Sequence, residues 1–238
     1  MRLQPEYTIG PRHGNPLLDA HPLDLDELLP ATPDASGWEV EIGYGKGRYL
    51  LRQALAHPRR RYLGIEVVSK YAKLLSRRAH KQGAENLLNL RGEALFLLAT
   101  VLPRGFADVL HVYFPDPWPK VKHRRRRLFD PGSVDLVLGV LRPGGTLCFA
   151  TDFLEYGELV HDLLGGHPDL DVEPVLRPWP DGARTNYEAK YIDEGRPILR
   201  LQASLRPGVE RVGPHPRGVD DIVCAWAADG DDDTAPAS

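Results

Sequence analysis

Cysteine is scarce in this sequence. Two occur in 238 residues, Cys148 and Cys224, too few for a disulfide framework and consistent with a reducing compartment. Excess positive charge is also missing. The formal net charge is −3, which excludes a general polycation and requires any nucleic-acid surface to be local. There is no apolar run of about eighteen residues and no basic-then-apolar leader, so neither membrane insertion nor secretion is expected and the expected location is cytoplasmic. No internal repeat is visible, and no metal is called for. The length alone suffices for one α/β domain with a full core.

What the sequence does contain is alternation. From Trp38 onward, short β-like runs ("WEVEIG", "RRYLGIEV", "NLLNLRG", "ADVLHVYF", "GGTLCFATD", "LDVEPVLR", "PILRLQASL") alternate with segments of helical periodicity. The helical segments are "GRYLLRQALAH", "SKYAKLLSRRAHKQG", "EALFLLATVL", "PGSVDLVLGVL" and "LEYGELVHDLLGG". This pattern predicts an α/β fold with a doubly wound, mostly parallel seven-stranded sheet, its last two strands pairing antiparallel at one edge. Residues 1–36, rich in Pro, Gly, Asp and His around a short amphipathic "LDLDELL", form an N-terminal arm, partly flexible. Residues 37–205 are the main domain, and residues 206–238 an extension whose acidic end, "DGDDDTAPAS", is expected to be disordered.

The first strand runs into Glu41-Ile42-Gly43-Tyr44-Gly45-Lys46-Gly47 and then a helix. Glycines at 43, 45 and 47 allow a tight turn and bring bare backbone to a ligand at a helix N-terminus. The dinucleotide fingerprint wants glycine where Arg48 stands, and a pyrophosphate disfavours a nearby carboxylate such as Glu41. A ligand bearing an ammonium and a sulfonium favours one. The loop therefore resembles the S-adenosylmethionine loop of Rossmann-like methyltransferases. Glu66 ends the second strand, where a carboxylate accepts from both ribose hydroxyls. Glu93 follows the third strand, placed either to accept from the adenine amino group or to complement a helix dipole.

The fourth strand runs out into "YFPDPWPKVKHRRRRLF". Asp116 then lies at the carboxyl end of the sheet, where doubly wound folds place their chemistry. Pro115 fixes the backbone before it and Pro117 pushes it toward extended angles, so the direction of the carboxylate is preset. Trp118 either stacks on a base or packs beneath the loop. Lys120, Lys122, His123, Arg124, Arg125, Arg126 and Arg127 follow at once, a cationic run suited to phosphates beside the expected reaction centre.

Together "EIGYGKG", "YLGIE", "YFPDPWPKVKHRRRRL", "GGTLCFATD" and "RTNYEAKYIDEGRPI" resemble, in order, bacterial tRNA (guanine-N7-)-methyltransferases over residues 38–205. That resemblance implies a class I methyltransferase acting on N7 of a variable-loop guanosine, position 46. Under it Glu41, Glu66, Glu93 and Asp116 line the S-adenosyl-L-methionine site along with the glycine loop, Asp116 also being the proposed catalytic residue. Lys120, Asp152, Thr185, Asn186, Tyr187 and Glu188 contact the substrate nucleotide, and Lys122 to Arg127 the RNA backbone. Without the resemblance, Asp152 serves equally well as an N-cap for the next helix, and "RTNYE" is a capped loop or flap. Glu93 stands where the family more usually has aspartate, and the acidic extension has no evident counterpart there. Rival readings are a methyltransferase for ribosomal RNA, protein or a small molecule (the cationic run argues against a small molecule), a non-catalytic RNA-binding module and a nicotinamide oxidoreductase. Arg48 and Glu41 argue against the last.

Overall fold

The structure, a computed structural model, describes residues 7–8, 23–31 and 36–209. In chain order its elements begin with β1 (Tyr7–Thr8), α1 (Leu25–Leu28), β2 (Trp38–Ile42), α2 (Arg48–Ala56), β3 (Arg61–Glu66) and α3 (Ser69–Gln82). There follow β4 (Leu87–Arg91), α4 (Ala94–Thr100), β5 (Ala107–Tyr113), a 3-10 helix (Val121–Arg126), α5 (Val134–Leu138) and β6 (Leu141–Thr151). The last elements are α6 (Leu154–Gly165), β7 (Leu170–Pro174), α7 (Asn186–Asp193) and β8 (Leu199–Leu205). The sheet order is β1-β4-β3-β2-β5-β6-β8-β7. Pairs from β1 to β6 are parallel, while β8 runs antiparallel to both β6 and β7. The seven strands anticipated from the sequence are all present. The eighth, β1, is a two-residue addition from the arm.

Parallel strands covered on both faces need apolar side chains on both, and β3 shows the division. Leu63 and Ile65 join a large cluster with Leu97, Val101, Phe129, Phe149 and Tyr156, whereas Tyr62 joins a smaller one with Leu50, Leu75 and Leu87. The two clusters are the two layers that flank the sheet. At β2 the order reverses: its neighbours β3 and β5 lead away in opposite directions. Outside the carboxyl ends of strands at such a switch point lies the crevice that open α/β sheets use for ligands.

Two segments differ from the sequence reading, and a third, Val121–Arg126, was given no element there. Leu23 and Leu25 are buried in the main core, and the Leu23 N–H donates to Val101 O at 2.8 Å, so this part of the arm is a packed cover. Val121–Arg126 coils into a 3-10 helix with no buried residue. Residues 186–193 form a helix instead of a loop, because Thr185 caps it with a side-chain oxygen. The acidic end of the chain lies outside the described residues. Among those described, no helix is long and apolar enough to cross a membrane.

Candidate active site

Register sets the site. Ile42 of β2 pairs with Val112 of β5, so the glycine loop and the loop carrying Asp116 leave adjacent strands at the same end. Adjacent strands lie about 4.8 Å apart. Gly43, Gly45 and Gly47 have φ of +69°, +52° and +67°, a region side-chain-bearing residues rarely adopt. Their roles separate on closer inspection. A Cβ on Gly47 would lie 2.7 Å from Leu75 Cδ1, so packing against α3 demands that glycine. A Cβ on Gly43 or Gly45 would meet nothing within 4 Å. Those two line open space, as a ligand-binding loop requires.

Three carboxylates border that space. Glu41 is buried, and its Oε2 has no hydrogen-bond partner. Burial pushes its pKa up to about 8, the nearby Glu66 adding to the rise. Glu66 accepts from the Gly45 N–H at 2.8 Å and the Val68 N–H at 2.9 Å, so this carboxylate fixes the glycine loop. Its pKa is raised by burial, and the charge of Asp116 contributes to the rise. Asp116 sits at the exposed rim, and partial desolvation raises its pKa as well. Such a cluster of acids, one with an orphaned buried oxygen, suits a cationic ligand. Ammonium and sulfonium charges would favour the ionised forms, so the residues present fit S-adenosylmethionine. Beside Glu66, the Val67 side chain is 60% exposed, an apolar lip that the sequence reading missed.

Glu93 follows β4 at the same end of the sheet, but its carboxylate turns inward. Its oxygens accept from Leu95 N–H at 3.1 Å and Phe96 N–H at 2.7 Å, capping α4. The dipole-complementing role foreseen for it is thus present, and an adenine contact would use the remaining lone pairs.

The Asp116 loop is held in an unusual shape. Phe114 and Trp118, on either side of the two prolines, both have positive φ, +53° and +40°. For such residues this costs on the order of 1–3 kcal/mol each and persists only where surroundings impose it. Arg127 does part of the imposing. It is 2% exposed, its Nε donates to Pro117 O at 2.7 Å, and its guanidinium lies 4.8 Å from the Tyr156 ring centre. The expected contact of Arg127 with RNA is therefore corrected: the side chain points into the protein and braces the loop. Trp118 packs beneath the basic turn, with Arg126 5.1 Å and His123 5.7 Å from its ring centre. Lys120, Lys122, Arg124 and Arg125 are exposed.

The flap between β7 and β8 closes the other side. Thr185 Oγ1 accepts from Glu188 N–H at 2.9 Å, and Glu188 Oε2 accepts from Arg184 N–H at 2.8 Å, a reciprocal cap. Glu188 Oε1 accepts from Arg200 Nε at 2.8 Å, and Glu188 is 0% exposed. Its expected contact with guanine is likewise corrected, since both oxygens build the flap. Asn186 accepts from Arg48 at 3.4 Å, and Arg52 pairs with Asp181 at 2.6 Å, fastening the flap to α2. Tyr187 is 56% exposed and shares an aromatic group with Phe114 and Tyr191, ring centres 5.5 to 6.4 Å apart. Asp152 does not cap α6: the Phe153 N–H goes to Thr151 Oγ1, and Asp152 lies 3.9 Å from Arg196. Arg196 in turn covers the Tyr191 ring at 4.8 Å. Arg184, also missed from the sequence, sits 4.2 Å from the Trp179 ring centre and donates to Tyr113 Oη, locking the flap onto β5.

Sheet order, a glycine loop after β2 and acids at the next strand ends define a Rossmann-like class I methyltransferase. Solved structures agree on the fold: the 16S rRNA (adenine(1408)-N(1))-methyltransferase from Catenulisporales acidiphilia, with cosubstrate SAM, matches at TM-score 0.53, 23% identity, 80% of this chain and 95% of that one. The 16S rRNA methyltransferase KamB matches at 0.54 and 16%, covering 79% and 96%. Residues 37–201 match the family described as "Putative methyltransferase". Among curated relatives, the tRNA (guanine-N(7)-)-methyltransferase of Nitrosococcus oceani is 36% identical over 70% of this chain and 71% of its own. That of Alkalilimnicola ehrlichii is 37% identical over 76% of each. The chain belongs to the tRNA (guanine-N(7)-)-methyltransferase family.

Proposed function

We propose that the protein transfers the methyl group of S-adenosylmethionine to N7 of a guanine in tRNA, the variable-loop guanosine being the expected target, in the cytoplasm. One observation carries this reading. The β2–β5 register brings an open glycine cradle, a buried carboxylate with one orphaned oxygen and the proline-braced Asp116 into one crevice beside an exposed basic turn.

When bound, the cofactor supplies an electrophilic methyl group on a sulfonium. Guanine N7 carries a lone pair and no proton at neutral pH, so no residue has to act as an obligatory base. The chain's task is positioning, which contributes by holding the reacting atoms in line. Gly43 and Gly45 would admit the ligand, Glu41 would offer a carboxylate to its ammonium, Glu66 would accept from the ribose hydroxyls, and Glu93 would serve the adenine end. Asp116 and Asp152 orient the base through its N–H donors and stabilise the positive charge that arrives on the purine. Tyr187 offers a stacking face, Lys120 a charge beside the nucleotide, and Thr185 and Asn186 hold the flap. Lys122, His123 and Arg124 to Arg126 take the RNA backbone. Incubation with methyl-labelled S-adenosylmethionine and unmodified tRNA, followed by nucleoside mapping, tests the reading. N7-methylguanosine in the variable loop is expected; label in another nucleoside, or only in other RNAs, overturns it.

A further inference from the structure

Helix α3 contains five fixed cations, Lys70, Lys73, Arg77, Arg78 and Lys81, and no carboxylate. In a chain with 33 acidic residues against 30 basic ones, a fourteen-residue helix of that composition is a marked local excess. All five are exposed. None of them pairs with a carboxylate among the described residues, whereas Arg52, Arg60, Arg61, Arg124 and Arg142 each do. On a helix, positions 70, 73, 77 and 81 share one face, with neighbours about 5–6 Å apart. At about 1.5 Å per residue they make a strip about 16 Å long.

The helix that carries the strip adjoins the site through its other faces. Arg78 Nη1 donates to Lys46 O of the glycine loop at 3.0 Å, and Leu75 packs on Gly47, so α3 flanks the mouth of the cofactor crevice. Exposed Lys46 and Arg48 continue the positive surface toward the flap. The other layer has the opposite sign at its outer surface: α6 exposes Glu155, Glu158 and Asp162 while packing Tyr156 and Val160 into the large cluster. The outer faces of the two helices thus differ in sign, and a polyanion would favour α3 over α6.

We propose that the outer face of α3 is a second tRNA-docking surface, taking the phosphate backbone of a stem while the basic turn after Asp116 holds the strand that carries the target guanine. This rests on tRNA being the substrate. Charge complementarity and spacing select the occupant: unpaired cations in a single row suit a polyphosphate backbone and offer no apolar seat for a protein helix.

The test is tRNA binding by wild type and by K70Q/K73Q/R77Q/K81Q, glutamine keeping helix propensity close to that of lysine and arginine. Arg78 is left intact because it supports the glycine loop. The dissociation constant is expected to rise about tenfold or more near 0.1 M salt. The salt slope should become shallower by about 3, from four lost phosphate contacts at roughly 0.7–0.9 each. S-adenosylmethionine affinity and turnover at saturating tRNA should stay within about twofold. Independently, acetylation footprinting of the wild-type protein should show Lys70, Lys73 and Lys81 protected by tRNA. Unchanged affinity and slope, or unprotected lysines, overturn the proposal, as they would if the acidic residues near the end of the chain were the strip's partner. Wild-type protein that methylates no tRNA in the same preparation would instead overturn the reading beneath it.

Discussion

Glu41 is the residue on which the cofactor argument leans most. Its carboxyl is pushed from an ordinary 4.5 up to about 8 by burial, so near pH 7 the ligand-free protein holds it protonated. A cationic ligand favours the ionised form, and binding at pH 7 should release a proton. Calorimetry in buffers of different ionisation enthalpy would show this as a buffer-dependent heat; equal heats would contradict it. Folding stability is linked with the opposite sign. The folded state holds more protons than the unfolded state between about pH 4.5 and about 8, so this group's contribution to stability is lost as pH rises through that window. Glu41→Gln should therefore melt higher than wild type at pH 8 and above, yet bind S-adenosylmethionine at least about tenfold more weakly. Asp116 carries the complementary prediction. Asp116→Asn keeps the shape and removes the charge, and turnover at saturating substrate should fall by about tenfold or more, within the range of electrostatic groups at reacting centres. Near-wild-type turnover would remove the electrostatic role.

At the scale of elements, strands and long helices were legible because their apolar periods are strong. The run "NLLNLRG" and the helical segment "SKYAKLLSRRAHKQG" each matched their element, β4 and α3, to within a residue or two. The flap helix α7 was not. Its stability comes from contacts across the fold: Thr185 and Glu188 cap its start, and Arg200, donated by β8, neutralises the buried Glu188. A local pattern shows the cap at most. The same reason explains two misassigned residues. Glu188 and Arg127 lie in segments that read as substrate-facing, and only the packed structure shows each turned inward onto a partner. Removing one member of a buried pair leaves an uncompensated charge, at about 3–5 kcal/mol. Glu188→Ala should accordingly cost about that much in denaturant unfolding, and Thr185→Ala only about 1 kcal/mol for the lost cap. Equal, small costs would mean that the flap is not anchored through Arg200.

For the whole molecule, the sequence led to the right sheet, the right end of it and most of the acids that border the crevice, because glycines, prolines and strand-end acids are local signals. It did not reveal the aromatic group of Phe114, Tyr187 and Tyr191, which forms only when the flap folds back over the β5 loop. Nor did it reveal that Arg184 reaches Tyr113 or that Arg196 lies near Asp152, because those partners lie many residues away. The central claim is that one crevice at the switch point holds the cofactor with its sulfur toward Asp116. The most direct measurement is a crystal structure with S-adenosylhomocysteine bound. The account predicts its amino group at Glu41, its ribose hydroxyls on Glu66 and its sulfur open toward Asp116. A ligand found away from Gly43 and Gly45, or with its sulfur turned from Asp116, would contradict it.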